Sequence, residues 1–295
     1  MKGLLWGAIL GGYISVFTIA IFGLTIWRSR RRKTRLPLQF VLLRAPGESL
    51  RRKVQEFDEN LPVVMTLSAL APLIMMYGAL SLLVWATPRI PPNVGWSITI
   101  SVGLVGMAGS GLLFFRRFVR YNSDRLGYLG ERAVGESLQG LEGTYRVFHD
   151  VPAVGKNKSF NIDHVAVGPS GVSVIETKTR RKGRALPGRQ DHAVTYDGQR
   201  LIWPWGEDSY GLGQVRAETD WLYELLRKKT GIDVAMKSIL VLPGWFVSGS
   251  FDWSIKVMNE KVVAKAVSYG ANVLSDREIV TIAGILDGMC RDVRD

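Results

Sequence analysis

Hydrophobic and polar positions divide the 295-residue chain into two parts. The first part contains three uncharged stretches, Leu4–Trp27, Leu61–Ala86 and Val94–Phe115, which are 24, 26 and 22 residues long. Each exceeds the roughly 18 apolar residues that indicate a membrane-crossing helix. We therefore predict a membrane anchor of three transmembrane helices over residues 1–120 and a soluble domain over residues 121–295.

The second part mixes helical and strand patterns. Apolar residues at helical spacing predict helices over Leu126–Leu141 and Leu212–Lys229, and Ser275 with Glu278 forms a capping box that begins a helix ending at Cys290. Strands are predicted over Tyr145–Val151, Ile162–Val167, Val172–Thr177 and Met236–Leu242, with a weaker candidate at Trp253–Met258. The basic segment Arg180–Gly188 is predicted to be a loop. This order indicates an α/β fold, a mixed sheet flanked by helices.

The net charge of +12 belongs to the membrane part. Residues 1–120 hold 15 Lys and Arg against 4 Asp and Glu, whereas residues 121–295 hold 23 against 22. Ten cations lie in Arg28–Asn60, and Arg116, Arg117 and Arg120 follow the third stretch. Positively charged loops stay in the cytoplasm. We therefore expect a multi-pass protein of the cell (inner) membrane, with the N-terminus outside and the C-terminal domain cytoplasmic.

Three charged residues stand at the ends of two strands that otherwise have apolar sequences. A Gly-Pro-Ser-Gly turn joins the strands, Asp163 lies in the first, and Glu176 and Lys178 end the second. Because side chains alternate between faces, each of these residues shares a face with core valines. Charges are rarely placed there unless they are paired or bind a metal.

The order and spacing of these residues resemble a known family. The matching segments are Gly127-x-x-Gly130-Glu131-x-x-Val134, Ile162-Asp163-His164-Val165, Gly171-Val172, Ile175-Glu176-Thr177-Lys178 and Gln214. Together they are similar to the nuclease-related domain, a branch of the PD-(D/E)xK nuclease superfamily. The resemblance extends over roughly Gly127 to Val241. It implies a restriction-endonuclease-like core and metal-dependent cleavage of nucleic acid.

The resemblance assigns a role to each residue of the set. Glu131, Asp163, Glu176, Lys178 and Gln214 are the expected catalytic residues. Asp163 and Glu176 are the expected ligands of Mg²⁺ or Mn²⁺, which prefer oxygen ligands. Lys178 would orient or deprotonate the attacking water, while Glu131 and Gln214 would assist the metal, the water or a phosphate. The cations expected to contact the nucleic-acid backbone are Arg180, Arg181, Lys182, Arg184 and Arg189.

Several features leave alternatives open. Glu176 and Lys178 could form an ordinary ion pair, Gln214 could simply begin its helix, and the basic loop could be solvated. Glu136 competes with Glu131 on the same helix, although only Glu131 matches the family pattern. His164 is expected to be structural. The single cysteine, Cys290, excludes an intramolecular disulfide.

These patterns predict a membrane-anchored, metal-dependent nuclease, with DNA the favoured substrate over RNA. Two rival functions remain. In the first, the same fold tethers nucleic acid to the lipid bilayer without cleaving it. In the second, the domain regulates a channel or transporter, which the absence of charges within the three stretches disfavours.

Overall fold

The computed structural model describes Gly23 and residues 41–86, 90–155, 159–249 and 254–293. These residues belong to two compact units. One unit comprises Met1–Pro37 and Val54–Asn122, and the other comprises Leu38–Lys53 and Ser123–Asp295. The first predicted span, Leu4–Trp27, lies outside the described residues except for Gly23.

Two long helices carry the second and third apolar stretches. Helix α1 covers Glu48–Ala86 and continues through Pro62 and Pro72, and helix α2 covers Pro92–Leu138. The two helices pack closely at Gly106, where a Cβ atom would lie 3.2 Å from the Pro72 Cα. Both helices are long and apolar enough to cross a membrane. The described residues thus contain two candidate spans rather than the three predicted.

The second unit contains two mixed sheets. Strands β2 (Arg146–Val154), β3 (Ser159–Gly168), β4 (Gly171–Thr177), β8 (Met236–Val241) and β10 (Ile255–Met258) form a five-stranded sheet in the order β10-β8-β4-β3-β2. Strands β5 (Ala193–Tyr196), β6 (Leu201–Trp203), β7 (Gly206–Asp208) and β9 (Phe246–Gly249) form the second sheet in the order β7-β6-β5-β9. A short antiparallel pair joins β1 (Leu42–Leu43) to β11 (Arg291–Val293).

Helices cover both faces of the five-stranded sheet. Helices α3 (Leu212–Thr230) and α5 (Asp276–Cys290) pack on the face that carries Val165, Val174 and Leu240. The end of α2 and the short helix α4 (Val263–Ser268) pack on the face that carries Ile175 and Ile239. Apolar alternation along the strands explains this arrangement, because each face of a buried strand needs its own cover.

The mixed α/β architecture and its flanking helices agree with the sequence prediction, but three details differ. The predicted helix Leu126–Leu141 is the last part of the continuous helix α2, followed by one 3₁₀ turn over Gln139–Leu141. Strand β2 extends to Val154 instead of ending near Val151. The second sheet was not predicted, because its strands have only three or four residues and lack a clear alternation.

Candidate active site

Asp163 and Glu176 approach each other where β3 and β4 pair. The partly buried Asp163 accepts a hydrogen bond through Oδ2 from the Thr177 backbone N–H at 2.7 Å. This bond joins Asp163 to the residue that directly follows Glu176. The Glu176 carboxylate is buried and accepts a hydrogen bond from the Lys178 ammonium group. The strand pairing therefore gathers two carboxylates and one cation at one end of the sheet.

Glu131 joins this group from helix α2. It is buried, and the charges of Glu176 and Lys178 both act on it. The competing residue Glu136 is exposed and forms a surface ion pair with Arg132 at 3.1 Å. The structure therefore brings Glu131, rather than Glu136, to the end of the sheet where Asp163 and Glu176 lie.

A further carboxylate, Glu218, was missed by the sequence analysis. It lies on α3 with only 2% of its surface exposed. Its Oε1 accepts a hydrogen bond from Gln214 Nε2 at 2.8 Å, and its carboxyl group lies within hydrogen-bonding reach of Glu176. Gln214 is therefore linked to the acidic group through its hydrogen bond to Glu218. The sequence does indicate the burial of Glu218, because Val215, Glu218 and Leu222 have the spacing of a single helix face.

The crowded carboxyl groups favour their protonated forms. Burial raises the pKa of Glu131 to about 8, and repulsion from Asp150 and Glu176 adds to this effect. Burial likewise raises the pKa of Glu218 to about 9, with Glu176 as the main charged neighbour. Burial, Glu176 and Glu131 raise the pKa of Asp163 well above its usual value. Each of these three carboxyl groups is therefore repelled by Glu176 when both are ionised.

Lys178 stays a cation in this environment. Burial alone would lower the pKa of Lys178, but the Glu176 carboxylate and its hydrogen bond outweigh burial and raise it. The ammonium group is therefore suited to stabilise negative charge and to orient a water molecule. Accepting a proton from water is the less favoured of the two roles expected from the sequence.

The basic residues after β4 divide into two groups. Arg180 is partly buried, forms an ion pair with Asp208 at 2.7 Å and stacks 4.8 Å from the Trp203 ring centroid. The next cations in the chain are exposed and form no ion pair with any carboxylate that the structure describes; they are Arg181, Lys182 and Arg184. Arg189 is directed towards Trp203 and donates to its carbonyl at 2.6 Å.

Two histidines form a pair on the other side of β3. The strand register places His149 directly opposite His164, and their Nδ1 atoms lie 2.8 Å apart. Burial lowers the pKa of His149 to about 4, and burial followed by the charge of His149 lowers that of His164 well below its usual value. Both rings are therefore neutral at pH 7. Their contact links β2 to β3, and a structural role for His164 stays a prediction.

The acidic group offers oxygen ligands to a divalent cation. No hydrogen-bond donor among the described residues reaches Oε2 of Glu176 or Oε2 of Glu218, although both atoms are buried. The described part of the chain contains no set of three His, Cys, Asp or Glu side chains arranged around one point. Mg²⁺ needs no such set, because it is commonly held by one or two carboxylates and keeps several waters. Asp163 and Glu176 thus fit as its two protein ligands.

Comparison with known proteins gives one match. Residues 126–243 match the family model described as the nuclease-related domain. No curated protein and no solved structure matches the chain. The matched segment contains all five predicted catalytic residues and also Glu218. Residues 126–243 are therefore a nuclease-related domain.

Proposed function

We propose that this protein is a membrane-anchored nuclease that hydrolyses phosphodiester bonds with the help of a divalent cation, DNA being the favoured substrate. The observation that carries the proposal is the approach of Asp163, Glu176 and Lys178 at one end of the sheet. Buried carboxylates that raise one another's pKa are costly for the fold. They are common at functional sites, where a bound cation or a reaction uses them.

The donor set suits Mg²⁺ or Mn²⁺, which we propose to be held by Asp163 and Glu176. When bound, the cation would offset charge on the scissile phosphate and lower the pKa of a bound water. Glu131, on helix α2, would accept hydrogen bonds from waters around the cation. Glu218, held by Gln214, would fix the orientation of the Glu176 carboxyl group.

Lys178 completes the proposed chemistry. In the proposed step, a water that has given up one proton attacks phosphorus, the bond to the leaving oxygen breaks and that oxygen takes up a proton, while negative charge increases on the phosphate oxygens. A fixed ammonium group beside the reacting atoms stabilises that charge without having to reorganise. The exposed Arg181, Lys182 and Arg184 would hold the nucleic-acid backbone, which provides affinity without sequence information.

The membrane part of the proposal rests on α1 and α2. Large apolar side chains along both helices are exposed to solvent, including Leu82, Trp85, Val105 and Leu113. Exposed apolar surface of this extent marks an interaction with a partner or a lipid bilayer. Arg116, Arg117 and Arg120 follow the apolar part of α2, which favours a cytoplasmic position for the nuclease-related domain.

The test uses the full chain in detergent micelles. Wild type is incubated with single-stranded DNA, duplex DNA and RNA, with Mg²⁺, Mn²⁺ or a chelator. We expect cleavage only with a divalent cation, and we expect the cation to raise the melting temperature, because it binds only the native state. Asp163→Asn should lose both effects. Asp220→Asn, which changes an exposed carboxylate on α3, should retain both.

Two results would contradict the proposal. Binding of nucleic acid without cleavage under any of these conditions would identify a binding module instead. An equal melting-temperature shift in wild type and Asp163→Asn would show that the cation binds elsewhere.

A further inference from the structure

Tyr210 presents an exposed aromatic ring beside the proposed catalytic lysine. It lies in the connection between β7 and α3, and 58% of its surface is exposed. The Lys178 Nζ lies 5.1 Å from the centre of its ring, and the Arg180 guanidinium carbon lies 5.3 Å from it. The ring therefore borders the reacting end of the sheet on its solvent side.

Contacts of the residues before and after Tyr210 fix its backbone. The Tyr210 backbone N–H donates to Asp208 Oδ1 at 3.1 Å, and the same carboxylate forms the ion pair with Arg180. The next residue, Gly211, has a φ of +93°, and a Cβ on it would lie 3.0 Å from the Lys178 Cγ. Only glycine fits this conformation and spacing easily. The position of Tyr210 is thus coupled directly to that of Lys178.

Exposure distinguishes Tyr210 from Trp203 and Trp245. Trp203 and Trp245 are buried and stack edge-to-face in the core, with ring centroids 5.2 Å apart. The two tryptophans fill the core, which explains why aromatic residues stand at those positions. Core packing does not explain an exposed tyrosine held next to two cations. A nucleic acid supplies both complements, because its phosphates pair with cations and its bases stack on aromatic rings.

We infer that Tyr210 is a stacking platform for one unpaired nucleobase next to the scissile phosphate, so that the substrate is single-stranded or locally unpaired nucleic acid. This inference rests on the proposed function. A base within a duplex is covered on both faces by its neighbours and cannot lie on the ring, so the nucleotide at this position must leave the stack. Lys178 and Arg180 would contact the phosphates on either side of it.

The first experiment measures binding without cleavage. The full chain in detergent, with a chelator present, is titrated with a fluorescent single-stranded oligonucleotide and with its duplex. Stacking on one ring is worth about 1–3 kcal/mol, so Tyr210→Ala should weaken single-strand binding about 5- to 150-fold. Duplex binding should change less than about twofold. Tyr210→Phe, which retains the ring, should bind like wild type.

A matched control is available in Tyr269. This tyrosine is 72% exposed and also has a lysine over its ring, Lys256 at 5.6 Å. Its carbonyl accepts from Lys237 near the start of β8, whereas the site lies at the opposite end of that strand. Tyr269→Ala should therefore leave both affinities unchanged. Melting temperatures of all variants confirm that the fold is intact.

The second experiment identifies the stacked base. A single abasic position is moved along the oligonucleotide. At one position, the missing base should weaken binding by wild type but not by Tyr210→Ala, since the mutant has already lost that contact. The inference is overturned if no position shows this coupling, if Tyr210→Ala weakens duplex and single-strand binding equally, or if wild type does not bind single strands.

This test is separate from the test of cleavage. Coupling between Tyr210 and one base in a protein that never cleaves would support the platform and contradict the nuclease. Metal-dependent cleavage without any coupling would support the nuclease and contradict the platform.

Discussion

Burial of the acidic side chains at the end of the sheet destabilises the fold. The metal-free protein reduces this cost by keeping carboxyl groups protonated. Glu131 and Glu218 have pKa values raised to about 8 and about 9, chiefly by burial. Two carboxylates cannot hydrogen-bond to each other unless one carries a proton. The contact between Glu218 and Glu176 is therefore strongest when the pair shares a proton.

This cost predicts how stability depends on pH. A carboxyl group whose pKa is raised in the folded state stabilises the fold fully below its unfolded pKa near 4.5, and this contribution is lost as pH rises through the folded value. The melting temperature of the metal-free chain should therefore fall between about pH 5 and pH 9. His149 affects stability in the opposite direction. Because its pKa is lowered in the folded state, it destabilises the fold as pH falls from 6.5 towards 4.

Two variants check the assignment, with unfolding followed by intrinsic tryptophan fluorescence, to which the buried Trp203 and Trp245 contribute. Glu218→Gln should flatten the pH dependence, by at most the roughly 1.4 kcal/mol per pH unit that one proton contributes. Glu136→Gln, on an exposed surface pair, should leave it unchanged. A melting temperature that rises from pH 5 to pH 9 in the metal-free chain would contradict this account.

Residue patterns pointed to Asp163, Glu176 and Lys178, whereas Glu131 and Gln214 came from the family resemblance and Glu218 was missed. Alternation along two strands indicated that Asp163, Glu176 and Lys178 would lie on core-facing sides. The partners of these residues could not be predicted, because they come from distant parts of the chain. The ion pair of Arg180 with Asp208 and the ring of Tyr210 beside Lys178 depend on how the connection before α3 folds back onto β4.

At the scale of elements, Asp150 fixes the first turn of α1, and Arg44 just before it, to strand β2. Its buried Oδ2 accepts from the Ser49 hydroxyl at 2.6 Å, from the Ser49 backbone N–H at 3.1 Å and from Arg44 at 3.1 Å. Its φ of +50° is unusual for a residue other than glycine. The strand pairing skips this residue and resumes at Val151.

We predict that Asp150→Ala lowers the free energy of unfolding by about 3 kcal/mol, because it removes the buried carboxylate that accepts hydrogen bonds from the partly buried Arg44 and from Ser49. Asp150→Asn should cost less, since asparagine tolerates a positive φ and its side-chain oxygen still accepts hydrogen bonds. Chemical denaturation of the full chain in detergent measures both values. Equal losses for the two variants would show that the charge, rather than the conformation and the hydrogen bonds, determines the effect.

Element boundaries show where local patterns were sufficient. The capping box of Ser275 and Glu278 forms as predicted, with the Ser275 backbone N–H donating to Glu278 at 2.8 Å. The continuity of α2 across the predicted junction near residue 120 was not visible, because the sequence there changes from an apolar segment to the amphipathic one that carries Glu131. A change in polarity there does not interrupt the backbone hydrogen bonds.

At the scale of the whole molecule, the charge asymmetry of the loops predicts the orientation of the chain. A reporter that is active only in the cytoplasm should function when it is fused after Asp295, because the cations of Arg28–Asn60 and of Arg116–Arg120 stay inside. A reporter that is active only outside should be inactive at the same position. The opposite result would reverse the topology.

The amino terminus tests the number of spans separately. If Leu4–Trp27 crosses the membrane, an N-terminal tag should be accessible from outside. If only α1 and α2 cross it, the tag should be accessible only after the membrane is permeabilised, and the carboxy-terminal reporter should still function in the cytoplasm.

The central claim is that Lys178 acts on the reacting atoms of a phosphodiester. The most direct test compares the cleavage rate with Mg²⁺ and the equilibrium binding with a chelator for wild type and Lys178→Ala at one salt concentration. Loss of one positioned charge should lower turnover about a hundredfold or more while changing binding far less. Lys182→Ala, in the adjacent loop, should weaken binding and its salt dependence instead. Cleavage by Lys178→Ala at the wild-type rate would contradict the account.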